Sequence, residues 1–144
     1  MPNIHSIPLT EAEEKAALNA ASTIHEDWRK NYDMSKGGVD VPRIKRTEDG
    51  YETNINVPFE DLLPEFQKMN LLMTKFVVKL LKIAKQENYT NEECYYIIHE
   101  YWLELNPYAK NSNLDIPFNQ LDLSEQDKDI RVYNIVMGCI LDQQ

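Results

Sequence analysis

An internal repeat constrains this chain more than any other feature. Ile24-His25-Glu26-Asp27-Trp28 returns 74 residues later as Ile98-His99-Glu100-Tyr101-Trp102. Asn54-Ile55-Asn56-Val57-Pro58-Phe59, followed by Leu62, returns 59 residues later as Asn113-Leu114-Asp115-Ile116-Pro117-Phe118, followed by Leu121. A third block, Leu63-Pro64-Glu65 with Lys68, aligns with Leu123-Ser124-Glu125 and Lys128 at an offset of 60. Three blocks in one order read as two copies of a unit, residues 10–88 and 89–144. The second copy is 15 residues shorter between its Trp block and its Pro-Phe block, and lacks a counterpart of the basic loop Arg43, Lys45, Arg46. A unit of about 70 residues buries little apolar surface alone, so the two should pack face to face into one pseudo-two-fold domain.

Periodicity makes that domain mainly α, two helix-loop-helix repeats with at most short minor strands. Thr10 with Glu13 forms a capping-box pattern before Ala17, Ala21, Ile24 and Trp28 at helical spacing, and the helix is predicted to end near Asn31 to Asp33. Gly37, Gly38, Pro42 and Gly50 among charged residues predict turns and extended chain from Met34 to Asn56. Met69, Leu72, Phe76, Leu80 and Ile83 then share one helical face. Thr90 with Glu93 repeats the capping pattern before Cys94, Ile98, Tyr101 and Trp102, and Pro107 stops that helix. Ser124 opens a last helix through Val132, Val136 and Ile140. Strand signals are limited to Glu52–Val57 and Leu114–Ile116.

Charge narrows the partners. Fifteen Lys and Arg against 24 Asp and Glu leave a net charge of −9, which repels nucleic-acid phosphates and disfavours general DNA or RNA binding. Cys94 and Cys139 have no metal or redox spacing and read as small apolar residues of a reducing, cytoplasmic protein. The apolar runs are too short to cross a membrane, and the start shows no secretion signal.

The candidate functional residues are those of the repeat and the basic loop. Trp28 and Trp102, the only tryptophans, stand at equivalent positions. They read either as core residues or as a pair forming an aromatic slot for a flat ligand such as a purine, since stacking a base on an aromatic ring contributes about 1–3 kcal/mol. His25-Glu26 and His99-Glu100 lack the HExxH spacing and a third ligand, so the histidines are expected to pack or hydrogen-bond beside the indoles rather than hold a metal. Arg43, Lys45 and Arg46 are the one concentrated positive charge, suited to a phosphate or to a solvated loop balanced by Glu48 and Asp49. Asn54 and Asn113 are expected to serve local turns.

A helix ending in Ile-His-Glu-x-Trp, a basic loop, a short extended segment, then Leu-Pro-Glu and an amphipathic helix resembles the ryanodine receptor Ryr repeat. The likeness covers about Ala17 to Ile83 and Glu93 to Leu141, while the family's Gly-Trp-x-Tyr-Gly stretch is absent from both copies, with Tyr32 and Tyr108 as loose stand-ins. The resemblance implies a tandem-repeat domain without catalysis or a cofactor of its own. In some members such a domain holds an adenine nucleotide or related small molecule. Carried over, Trp28 and Trp102 would sandwich the base with Arg43 or Arg46 near the phosphates, and His25 and His99 beside the indoles. Two other functions stay open. One is an interaction or self-association module for a protein partner without a small ligand. The other is a magnesium-dependent nucleotide hydrolase using Glu11, Glu13 and Glu14, or Glu92 and Glu93, although acidic residues in a first helical turn already suit the helix dipole.

Overall fold

Both predicted capping boxes form in the computed structural model, which describes residues 3–142. Thr10 Oγ1 accepts the Glu13 amide at 3.1 Å while Glu13 Oε1 accepts the Thr10 amide at 2.8 Å. Thr90 and Glu93 repeat the exchange at 3.1 and 3.2 Å. They open α1 (Glu11–Lys36) and α3 (Asn91–Leu105). The helix α2 (Pro64–Glu87) starts with Pro at its first position, where the missing N–H is no loss, and α4 (Leu123–Leu141) follows a short 3-10 turn, Phe118–Gln120.

The helix α1 runs past its predicted end near Asp33. It ends where Gly37 takes the left-handed cap (φ 68°), its N–H reaching the Met34 carbonyl while that of Gly38 reaches Asp33. The strands also differ from expectation. β1 (Ile44–Arg46) lies in what was predicted as turn and extended loop, and pairs antiparallel with β2 (Glu52–Asn54). Residues 114–116 form turns and bends instead of a strand. The shorter second copy has no chain to pair them with, and the Leu114 and Ile116 carbonyls are taken by His99 instead.

The helices α1 and α3 do not pack on each other as a main contact: each lies against both α2 and α4, which also touch. One buried cluster draws on all four helices, with Ala17 and Ala20 from α1, Val77, Val78 and Leu80 from α2, Cys94 and Ile98 from α3, and Tyr133 and Val136 from α4. Full burial of a Leu or Ile side chain such as Leu80 or Ile98 stabilises by about 1.5–3 kcal/mol. Ala16, Ala17, Ala20 and Ala21 are all buried, and the small side chains let α2 approach closely enough for Thr74 Oγ1 to donate to the Ala17 carbonyl at 2.8 Å. Among the described residues, no helix is long and apolar enough to cross a membrane.

The repeat is visible in bonds as well as letters. Gln67 Nε2 donates to the Leu62 carbonyl at 3.0 Å, and Gln126 Nε2 donates to that of Leu121 at 3.0 Å. Val77 and Val136 are both fully buried. These pairs are 59 residues apart, and the residues preceding the helices, Leu63 and Asp122, share one backbone conformation at the same spacing. The alignment of Leu63-Pro64-Glu65 with Leu123-Ser124-Glu125 at an offset of 60 is therefore one residue out of register. Identical letters favoured that offset, whereas helix entry and burial favour 59.

Candidate functional site

The two histidines do the same job in the two copies. His25, 6% exposed, directs Nε2 at the Val57 carbonyl at 2.7 Å, and His99, 3% exposed, directs its Nε2 at the equivalent Ile116 carbonyl at 2.9 Å and at Leu114 at 3.1 Å. A carbonyl only accepts, so Nε2 carries the proton in both. Each ring thereby clasps the extended segment before Pro58 or Pro117 to the preceding helix. Burial lowers the pKa of His25, against the opposing pull of the Val57 carbonyl and Glu26.

Each tryptophan stacks on its own histidine: Trp28 on His25 with ring centres 5.7 Å apart, and Trp102 on His99 at 6.2 Å. Trp28 stacks further on Tyr32 at 5.2 Å, and Lys36 lies 5.5 Å above the Tyr32 ring. Spacings of three and four residues place these groups in a ladder along one face of α1. Trp102 meets Tyr108 edge-on at 6.3 Å. Both indoles are half-buried and each packs within its own repeat, so the structure brings Trp28 to His25 and Trp102 to His99 without forming an aromatic contact between the two tryptophans. Two open surface cavities, of about 440 and 430 Å³, lie at the end of α1 (Lys30, Met34, Val39) and beside α2 (Ile7, Pro8, Lys82); neither is lined by a tryptophan.

Arg43 and Arg46 belong to the first copy alone and lie on the β1–β2 hairpin. Arg43 Nη1 donates to the Ile44 carbonyl at 2.9 Å, and Arg46 faces Glu52 at 3.7 Å with both side chains about 70% exposed. Lys45 lies 5.4 Å from the Phe66 ring centre. A turn closed by Thr47 and Tyr51, with Gly50 at φ 90°, joins the strands. At the hairpin tip the Glu48 amide donates to Glu65 Oε2 at 3.3 Å.

A polar network that the sequence reading missed holds this hairpin to α1. Asn56, 2% exposed, donates Nδ2 to Asp33 Oδ1 at 2.8 Å and to the Val41 carbonyl at 2.7 Å, while its Oδ1 accepts Arg29 Nε at 3.0 Å. The amides of Asp40 and Val41 complete the Asp33 carboxylate, both at 3.0 Å, and Arg29 also grips Glu26 and Asp40 at 2.9 Å. Lost hydration opposes the charge on Asp33, but the Val41 amide, the Asn56 amide and the rest of the network outweigh it and lower the pKa. Asn54 serves the local turn as expected, accepting the amides of Arg43 and Asn56. One signal could have found the network. Arg29 and Asp33 align with Leu103 and Pro107 in the copy without the insertion, which marks them as servants of the insertion.

Asp129 was also missed. It is 8% exposed, and His99 Nδ1 stands 3.7 Å from Oδ2. Burial, with a smaller push from Glu125 and against the pull of Lys128, raises its pKa to about 7. At the equivalent place in the first copy stands Asn70.

Glu13, one of the carboxylates considered for magnesium, is engaged by its capping box and by Lys82 Nζ at 2.8 Å. No group of three His, Cys, Asp or Glu side chains gathers in metal-binding geometry among the described residues. No protein-family model matches the chain. A search of curated proteins found no match to it.

Proposed function

We propose that this protein is a non-catalytic binding module of two Ryr-like repeats whose working surface is the basic lobe of the first repeat, and that its partner is anionic. One observation carries the reading. Between residues 30 and 46 the chain holds five cations, Lys30, Lys36, Arg43, Lys45 and Arg46, against Asp33 and Asp40, with Asp40 already paired to Arg29, in a protein whose net charge is −9. The Arg29–Asp33–Asn56 network, centred on the buried Asn56, fixes that lobe in shape, so little ordering entropy is lost when a partner docks. A local positive field on a negative molecule steers anionic partners to one place.

A nucleotide-like small molecule is the second reading. It is favoured by the Trp28–Tyr32 stack lying beside the insertion, where Tyr32 Oη reaches the Pro42 carbonyl at 3.4 Å. It is disfavoured by the packing of Trp28 between His25 and Tyr32, which leaves a purine less aromatic surface to stack on.

Calorimetric titration with poly-glutamate and with adenine nucleotides, including cyclic and ADP-ribose forms, separates the two. The first reading expects salt-sensitive binding of poly-glutamate that Arg43→Glu with Arg46→Glu abolishes and Trp28→Ala leaves in place. Saturable nucleotide binding with quenched tryptophan fluorescence, lost in Trp28→Ala, would replace it with the second.

A further inference from the structure

The hairpin of the basic lobe is a two-stranded sheet with no third strand beside it among the described residues. Its bonding parity tells which backbone groups lie unused. The Ile55 amide donates to the Arg43 carbonyl at 2.9 Å, and the Thr47 amide to the Tyr51 carbonyl at 2.8 Å. Arg43 with Ile55, Lys45 with Thr53, and Thr47 with Tyr51 therefore face one another across the ladder. Ile44 and Arg46, the alternate residues of β1, turn their amides away from β2. All three β1 residues are exposed, whereas Thr53 and Asn54 of β2 are half-buried. The free edge is thus the β1 edge, and the residues on and before it are Arg43, Ile44, Lys45 and Arg46.

We propose that this edge takes up an extended acidic segment of a partner protein as a third strand, its carboxylates meeting Arg43, Lys45 and Arg46 and its backbone pairing with the outward amides and carbonyls of Ile44 and Arg46, the Ile44 carbonyl being released as a carboxylate draws Arg43 Nη1 off it. Strand addition draws affinity from main-chain hydrogen bonds and specificity from alternate side chains. The edge is rigid before the partner arrives, because Asn54 ties the Arg43 amide, Thr47 closes the turn and Glu65 holds the tip. Lysine and arginine on an edge normally guard it against pairing with a copy of itself. Two β1 edges brought together would set cation against cation, so the same charges that turn away a second copy admit an acidic strand. Arg46 is free to change partners, since its bridge to Glu52 is long and solvent-exposed. Ile44, 49% exposed, lies on the same side of the strand as Arg46 and asks for an apolar residue opposite it. The segment that fits alternates acidic and apolar residues.

The inference rests on reading the basic lobe as the working surface, and its test separates the two. The probe is an eight-residue peptide of alternating Glu and Val, made unmodified and in two forms N-methylated on one or the other alternate set of amides. Binding to the whole protein is followed by fluorescence anisotropy and by amide exchange at Ile44 and Arg46. The expected result is that one methylated form binds roughly tenfold more weakly, the loss of two net hydrogen bonds, while the other binds like the unmodified peptide. Ile44 and Arg46 amides gain protection, and Arg43→Glu with Arg46→Glu weakens all three forms. Equal binding of both methylated forms would overturn strand addition while leaving the basic lobe as the docking surface. No binding by any form, alongside salt-sensitive binding of poly-glutamate, would also overturn strand addition alone; silence toward both would overturn the surface as well. A dimer of the free protein that the peptide dissociates would assign the edge to a second copy.

Discussion

A carboxyl group buried beside a histidine links the stability of this protein to pH. Asp129 titrates near 7 in the folded chain against a model-peptide value of 3.8, so between those values the native state holds a proton that the unfolded state has released. Stability from this group is therefore full below about pH 4 and is lost as pH rises through 7. A shift of that size corresponds to roughly 4 kcal/mol. Asp129→Asn keeps the neutral shape, and is expected to raise the urea midpoint strongly at pH 8, less at pH 5, and little below about pH 4, where both states hold the proton. An unchanged difference between the two pH values would show that the carboxyl is hydrated in solution. His25 works in the opposite direction. Its lowered pKa means that the unfolded chain takes up protons first as pH falls below 6.5, so the stability it contributes is lost on acidification. His25→Ala and His99→Ala each remove a clasp and leave a half-buried carbonyl without its imidazole, and each should cost about 1–3 kcal/mol in denaturant unfolding.

At the scale of elements, the hairpin stands apart from the helices because side chains rather than a shared core hold much of it in place. Asn56→Ala deletes three hydrogen bonds at once, and amide exchange should speed up across residues 40–57 while α2, α3 and α4 keep their protection. Helices protected throughout and a hairpin unchanged would show that the strands stand without the network. What the sequence made legible here is what local chemistry decides. Thr10–Glu13 and Thr90–Glu93 announced two helix starts, and Pro107 announced a stop. The end of α1 escaped because the apolar stripe fades before Gly37, yet backbone hydrogen bonding carries the helix on to the glycine that takes its left-handed cap. The strand β1 escaped because Arg43, Lys45 and Arg46 read as a solvated loop; only the β2 segment facing them makes them a strand. Leu114–Ile116 looked like a strand because it copies Leu- and Ile-rich letters, but pairing needs a second strand, and the shorter copy supplies none.

For the whole molecule, α1 is a joint between the repeats, since it packs against α2 of its own copy and α4 of the other. Ala17 and Ala20 are completely buried, and Ala20→Leu would force three extra heavy atoms into the shared cluster. An overpacking cost of about 1–3 kcal/mol is expected, read as a lowered thermal midpoint. The repeated blocks were legible, and periodicity foretold a mainly helical chain; the matched bonds of the two copies came only with the structure. The placement of the tryptophans was legible only in part. The i+3 spacing put each indole beside its histidine, but the expectation of a shared aromatic slot needed the relative position of α1 and α3, which no local pattern encodes. Burial of Asp129 was hidden for the same reason, since an Asp between Lys128 and Ile130 on a polar-looking stretch gives no sign of the helix that covers it.

The histidine clasp has a consequence for how the chain can be re-engineered. Because His25 fixes Val57 and His99 fixes Ile116, both copies keep one equivalent downstream anchor, to which the longer span of the first copy adds its own ties through Asn56 and Asp33. The second copy closes that span with 15 fewer residues and keeps the same anchor. The span ahead of the clasp is thus a port, where a foreign recognition loop can be spliced or the native one trimmed without retuning the helical frame.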